Sequence, residues 1–325
     1  MRPRPGALAI CLLFTLASAL VVADPLPSWR GGATKSTIIS FVDDVTDPSS
    51  DRFVPVSDRI AVFDNDGTLW SEQPFYFQAL FAMEIVSRRG ADNPEILKTD
   101  ALKAAANGDL GALLEQGEHG LLEVVDVSHS DITVSDFQSQ ARDWLYSTNH
   151  PTRERPYSQM VYQPMLELLT YLRDRDFKTF IVSGGGADFI RAFAEDIYGI
   201  PPYQVIGSVG NHSYEIDNGE PVVRKESGVS FVDDKAGKPV GIMRQIGVRP
   251  IFVGGNSDGD FEMLEWATAG PGPRFGLLVH HTDAEREWAY DRDSPVGRLA
   301  RGLDEGPDRG WTIVDMRRDW RRIYP

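Results

Sequence analysis

Two aspartates two positions apart, Asp64 and Asp66, sit in an Asp-Asn-Asp-Gly-Thr run directly after the apolar segment Ile60-Ala61-Val62-Phe63. This arrangement suits phosphoryl transfer, which needs an in-line nucleophile, charge neutralisation and a proton donor for the leaving group. A carboxylate can form an acyl phosphate, which makes Asp64 a candidate nucleophile. Asp66 is placed to protonate the leaving oxygen and afterwards to activate water. Gly67 lets the backbone turn sharply beside a ligand. Two or three carboxylates meeting one phosphate would repel it, so the chemistry calls for a hard cation with oxygen ligands, and Mg²⁺ fits.

The elements that must hold these groups read as strands alternating with helices. Ile60–Phe63, Thr179–Val182, Ile251–Val253 and Leu277–Val279 are short apolar runs, each expected to be a buried strand. The first three end in small or acidic residues: 64–67, Ser183-Gly184-Gly185-Gly186, and 254–260. Residues 72 to about 161 read as helical, with a capping box at Thr133 to Asp136 and an apolar face of Phe137, Ala141, Trp144 and Leu145. Another helix carries Met165, Leu168, Leu169 and Leu172 on one face, and a further one is expected over 187–197. A stretch around Thr37–Val42 reads as the end of a helix. Residues 204–223 alternate around Asp217-Asn218-Gly219, a hairpin turn. Lys238-Pro239 opens a short helix, since proline is well tolerated in a first turn. This alternation predicts an α/β fold with a parallel sheet and helices on both faces. Ligands of such sheets sit beyond the carboxyl ends of the strands, where one site can be assembled from three distant segments.

The sequence Asp64-Asn65-Asp66-Gly67-Thr68 after a strand resembles the first motif of the haloacid dehalogenase superfamily, and the later elements follow in that family's order. Ser183 looks like its phosphate-binding Ser or Thr, with the Gly184 backbone beside it. Lys238 looks like its phosphate-neutralising lysine. Lys235 competes for that role, and Lys238 is favoured by its place at the helix start. Residues 256–260 stand where the family has its acidic metal motif. The resemblance spans residues 59–70 and 165–280, and its wording is nearest to phosphoserine-phosphatase-like members. It implies a Rossmann-like core over 24–71 and 162–325, an inserted helical cap over 72–161, an aspartyl-phosphate intermediate, and Mg²⁺ among Asp64, Asp66, Asn256, Asp258 and Asp260. Asn256 departs from the pattern, because the family usually has Asp there. Either its amide oxygen ligates or Asp258 takes the role. Dehalogenases lack an acid at the Asp66 position, so Asp66 points to a phosphatase.

Composition narrows the partners. With 33 Lys and Arg against 48 Asp and Glu, the net charge of -15 repels nucleic acid. A small phosphorylated metabolite stays compatible, because a metal ion and a lysine can reverse the field inside a cleft. Arg2 and Arg4 precede an apolar stretch over 7–22, and small residues end at Ala23. This reads as a signal peptide over 1–23, with export to a periplasm or the exterior and no stable membrane insertion after cleavage. Cys11, the single cysteine, leaves with it. Glu72, Gln73 and Tyr76 follow the first motif closely enough to touch a leaving group. The adjacent His280 and His281 are expected to point to opposite faces of a strand. The runner-up functions are a phosphotransferase or mutase of the same superfamily, and a phospholigand-binding protein weakened at Asn256.

Overall fold

The computed structural model describes residues 23–325. The expected signal peptide therefore lies, but for Ala23, outside the described residues. Nine strands are described: β1 (Ile60–Phe63), β2 (Ile132–Thr133), β3 (Lys178–Gly186), β4 (Val205–Asp217), β5 (Glu220–Phe231), β6 (Phe252–Gly255), β7 (Phe275–Thr282), β8 (Ala289–Tyr290) and β9 (Thr312–Asp315). Six form a parallel core in the order β4-β3-β1-β6-β7-β9. The α/β expectation holds, with antiparallel additions at both ends of the sheet.

All four residues of β1 are buried, as expected of a central parallel strand covered on both faces. Its side chains alternate between two cores. Ala61 and Phe63 join Phe41, Leu168, Phe252 and Phe275 on the side of helices Ala33–Thr46 and Gln163–Asp174. Ile60 and Val62 join Ile242, Val253, Phe261 and Leu264 on the side of helices Gly237–Gln245 and Phe261–Thr268.

Five α-helices lie between β1 and helix Gln163–Asp174: Phe77–Asp92, Asp100–Ala106, Leu110–Glu115, Gly117–His129 and Val134–Ser147. The first four build a small core of their own around Met83, Val86, Leu102, Leu113 and Val124, while the fifth packs Phe137, Ala141, Trp144 and Leu145 into the main core. The first helix joins that core to the main one, because Phe77, Phe81 and Ile85 on its other face belong to the larger cluster. Thr133 caps the last helix by accepting from the Asp136 N–H. The strand β2 inside this segment did not show in the sequence. It pairs with β5, and β5 forms a long hairpin with the outer half of β4.

Two other expectations are corrected. The helix expected over 187–197 is two helices, Ala187–Arg191 and Ala194–Tyr198. Phe193 leaves helical geometry at φ -138° and stacks on Trp70 with ring centroids 4.6 Å apart. The N-terminal helix is longer than read, because Ile38, Phe41, Val42 and Val45 all bury one face. Among the described residues no helix is long and apolar enough to cross a membrane.

Where β4 leaves β3, the chains run too close for any side chain at Gly207. A Cβ there would lie 2.7 Å from the Gly185 carbonyl oxygen and 2.9 Å from the Ala187 nitrogen. Both obstacles are backbone, so Gly207→Ala must displace the end of β3. The expected cost is about 1–3 kcal/mol, read as a fall of several degrees in the thermal unfolding midpoint.

Candidate active site

The carboxyl ends of β1, β3 and β6 meet at one buried ammonium. Lys238 Nζ donates to Asp64 Oδ1 at 2.6 Å, to Asp260 Oδ1 at 2.5 Å and to the Val182 carbonyl at 3.1 Å. Lys238 is 2% exposed. Burial alone would pull its pKa down, but Asp260 and Asp64 outweigh burial and hold it above the usual lysine value. Lys235, the rival lysine, is exposed and reaches only Asp234 as an ion-pair partner among the described residues.

Asp64 feels the opposite balance. Burial and the neighbouring Asp260 push its pKa well up, against the pull of Lys238. Burial also raises Asp66, whose Oδ1 accepts from the Trp70 indole N–H at 2.9 Å. That bond fixes the Asp66 carboxylate beside the end of β3. Ser183 Oγ accepts from the Gly185 N–H at 3.0 Å, which leaves its own proton free to donate, and Gly184 is exposed beside it.

The metal-motif residues diverge. Asp260 Oδ2 accepts from the Asn256 and Ser257 N–H groups, so one carboxylate both closes the turn and holds Lys238. The Asn256 amide oxygen accepts from Thr68 Oγ1 at 3.0 Å, and its Nδ2 donates to Glu72 Oε1 at 2.7 Å. Asp258 turns elsewhere, its carboxylate accepting from the Ala300 and Gly302 N–H groups. Asp258, Asn256 and Asp260 all stand behind the residues that line the cavity, and so does Gln73, which donates to the Val296 carbonyl. Glu72 and Tyr76 do line it.

A family model for the haloacid dehalogenase-like hydrolases matches residues 61–265, well over half of the chain. The chain belongs to that family. No curated protein matches it by sequence. A conserved protein of unknown function from Anaerococcus prevotii shares 16% identity at a TM-score of 0.50, covering 77% of this chain and 86% of that one. A protein of unknown function from Bordetella pertussis shares 17% at a TM-score of 0.46, covering 79% and 98%. A phosphoserine phosphohydrolase-like protein from Francisella tularensis shares 17% at 0.39, covering 77% and 98%. At these identities the likeness is one of fold.

The cavity of this haloacid dehalogenase-like hydrolase holds about 380 Å³ and reaches from Asp64 and Ser183 out to the inserted helices and the β4–β5 hairpin. Its far wall was not foreseen. Lys225 is buried, donates to Asp188 Oδ2 at 2.6 Å, and lies over the Phe137 ring. Asp188 also contacts His212 and Arg191, and Lys225 is what holds its pKa below the usual carboxylate range against the opposing effect of burial. His129, taken down to about 3 by burial and so neutral, meets the Gln78 amide. The Gln78 carbonyl accepts from the Gly186 N–H. Only a long-range pairing brings these residues together, so no local spacing could have announced them.

The loop that delivers Lys238 contains a further buried carboxylate. Asp233 is fully buried, neither of its carboxylate oxygens has a hydrogen-bond partner among the described residues, and burial pushes its pKa up to about 7. Its neutral form therefore suits the fold. Its contribution to stability is full below the ordinary carboxylate pKa and is lost as pH rises through about 7. Asp233→Asn is expected to flatten that slope and to stabilise the protein at pH 8 by about 1–3 kcal/mol. Thermal unfolding of both proteins at pH 5 and pH 8 checks it, and an equal shift at the two pH values contradicts it.

Proposed function

We propose that this protein is an exported, Mg²⁺-dependent phosphatase that hydrolyses a small phosphate monoester through an aspartyl-phosphate intermediate. The observation that carries this reading is Lys238, buried between Asp64 and Asp260 and lining the same cavity as Ser183.

The residues suit a divalent cation. Asp64 and Asp260 share one ammonium, Asp66 and Glu72 lie within reach of the charge on Asp64, and burial pushes Asp64, Asp66 and Glu72 up in pKa, as expected where countercharge is short. Among the described residues no three His, Cys, Asp or Glu side chains converge as a ready-made chelate. Mg²⁺ does not need one, because it keeps several waters and takes one or two carboxylates. Asp64, the Asp66 region and the Asn256 amide oxygen would hold it, while Asp258 is committed to backbone amides. When bound, Mg²⁺ neutralises charge on the phosphoryl oxygens.

The chain's own groups perform the rest. Ser183 Oγ and the Gly184 backbone meet phosphoryl oxygens, and Lys238 offsets their charge while drawing Asp64 toward its ionised form against the effect of burial. An Asp64 oxygen attacks phosphorus as the bond to the leaving oxygen breaks. Asp66, raised in pKa by burial and aimed by Trp70, gives that oxygen its proton. Asp66 then takes a proton from a water, whose oxygen attacks phosphorus and releases Asp64.

The leaving alcohol occupies the outer cavity. Leu121, Val125, Phe137, Phe189 and Val209 make that wall largely apolar, and Lys225 is its buried cation. This favours a small metabolite whose alcohol has an apolar body and a hydrogen-bond acceptor at the far end. Export rests on the sequence pattern of residues 1–23, and an N-terminus at Asp24 on the mature protein would test it.

Two kinetic results are expected. Hydrolysis of p-nitrophenyl phosphate by residues 24–325 should need Mg²⁺ and stop with EDTA, and Asp64→Asn should lower kcat by about 10³-fold or more. An active Asp64→Asn protein would sink the nucleophile assignment. Over a panel of phosphomonoesters, Lys225→Met should cost about 10–100-fold in kcat/KM for carboxylate-bearing esters, mainly through KM. An unchanged ranking of substrates contradicts the Lys225 role.

A further inference from the structure

Position 256 carries an amide where a carboxylate would bring full charge to the cation, and the missing charge is found next to it. Glu72 is 1% exposed, and its Oε1 accepts from Asn256 Nδ2 at 2.7 Å and from the Tyr290 hydroxyl at 2.8 Å. Both partners are neutral donors. A buried carboxylate held only by neutral groups is costly to the fold. The chain nevertheless keeps room for it. Gly67 and Gly297 both lie at positive φ, 76° and 67°. A Cβ at Gly67 would collide with both Glu72 and the Asn256 amide, and one at Gly297 would collide with the Glu72 carboxylate.

The hydrogen bond also has a direction. A carboxylate accepts only, so Glu72 draws the NH₂ end of the Asn256 amide and turns Oδ1 the other way. Oδ1 there meets Thr68 Oγ1, which lies 3.3 Å from Asp64 Oδ2. The amide oxygen and the nucleophile thus face the same small hydroxyl.

We propose that Glu72 is the positioning residue of the metal site: it aims the Asn256 oxygen at the cation and returns, one hydrogen bond away, the negative charge that asparagine lacks. The assignment deepens the Mg²⁺-dependent reading above and rests on it. Partners just outside a metal's ligands are worth about 10–100-fold in metal affinity. The pair also behaves as a unit. Asn256→Asp alone would set two carboxylates face to face. Combined with Glu72→Gln, it keeps one charge and one hydrogen bond, with donor and acceptor exchanged.

The test is a double-mutant cycle on residues 24–325, with Mg²⁺ affinity measured by calorimetry and the fold followed by thermal unfolding. Glu72→Gln should weaken Mg²⁺ binding about 10–100-fold. Asn256→Asp alone should lower the metal-free unfolding midpoint, with Mg²⁺ recovering it. The double variant Glu72→Gln/Asn256→Asp should bind Mg²⁺ within about threefold of the wild type, a restoration that pairwise coupling predicts and independent sites do not. If Glu72→Gln does not fold, the double variant and Asn256→Asp decide the matter by the same two readouts. Wild-type binding with unchanged affinity in Glu72→Gln, or no recovery in the double variant, overturns this assignment alone. Absence of Mg²⁺ binding by the wild type overturns the metal reading and this assignment with it.

Discussion

A buried ammonium cannot stand alone in a protein interior, and the site of this hydrolase follows from how Lys238 is satisfied. Its three acceptors come from the ends of three strands: Asp64 after β1, the Val182 carbonyl in β3, and Asp260 beyond β6. Removing any one would leave an ion short of partners in a medium that punishes this severely. The parallel register sets those ends level, with Phe63 opposite Ile181 on one side and Gly254 on the other. A slip of one residue would turn the buried faces over and carry Asp64 away from Lys238. Sheet register and site geometry are therefore one constraint.

The outer cavity obeys different physics. It is walled by helices of the inserted segment and by a hairpin that outgrows the sheet, and the two are tied by a few polar bonds. Asp126 on helix Gly117–His129 accepts from the Gly228 N–H and from Ser227 Oγ, and β2 pairs with β5 over two residues. Hydrogen bonds that lie near water open at less cost than a packed core. A wall of this kind can admit a ligand and then exclude solvent while the chemistry proceeds on rigid strand ends.

This division explains what the sequence could tell. Strand-end residues were legible because strand and turn are written locally: an apolar run, then Asp64 to Gly67, then the same pattern at Ser183 and at residues 254–260. Lys238 was distinguishable from Lys235 by its place at a helix start. The adjacent histidines do take different partners, His280 with Asp291 and His281 with the Gly67 carbonyl and Glu287. Local patterns did not disclose the Asp258 carboxylate folding back onto the 300–302 backbone, nor Lys225 meeting Asp188 across 37 positions. Contacts of that range are decided by packing, which periodicity does not encode. The strand β9 was missed because its four residues, Thr312 to Asp315, are bounded by polar side chains and only one is fully buried.

The electrostatics of the site show why a departure at one motif position need not end its chemistry. What a cation responds to is the field at its position, and several placements of charge can produce that field. A carboxylate directly on the metal and an amide oxygen backed by a carboxylate 2.7 Å behind it are two such placements. They differ in what they demand of the surrounding chain. The first needs one residue, while the second needs Glu72, Tyr290 to share it, and two glycines to clear the space. A site of the second kind is harder to read from its motif and more exposed to substitutions outside it, because part of its charge is held by residues the motif does not contain.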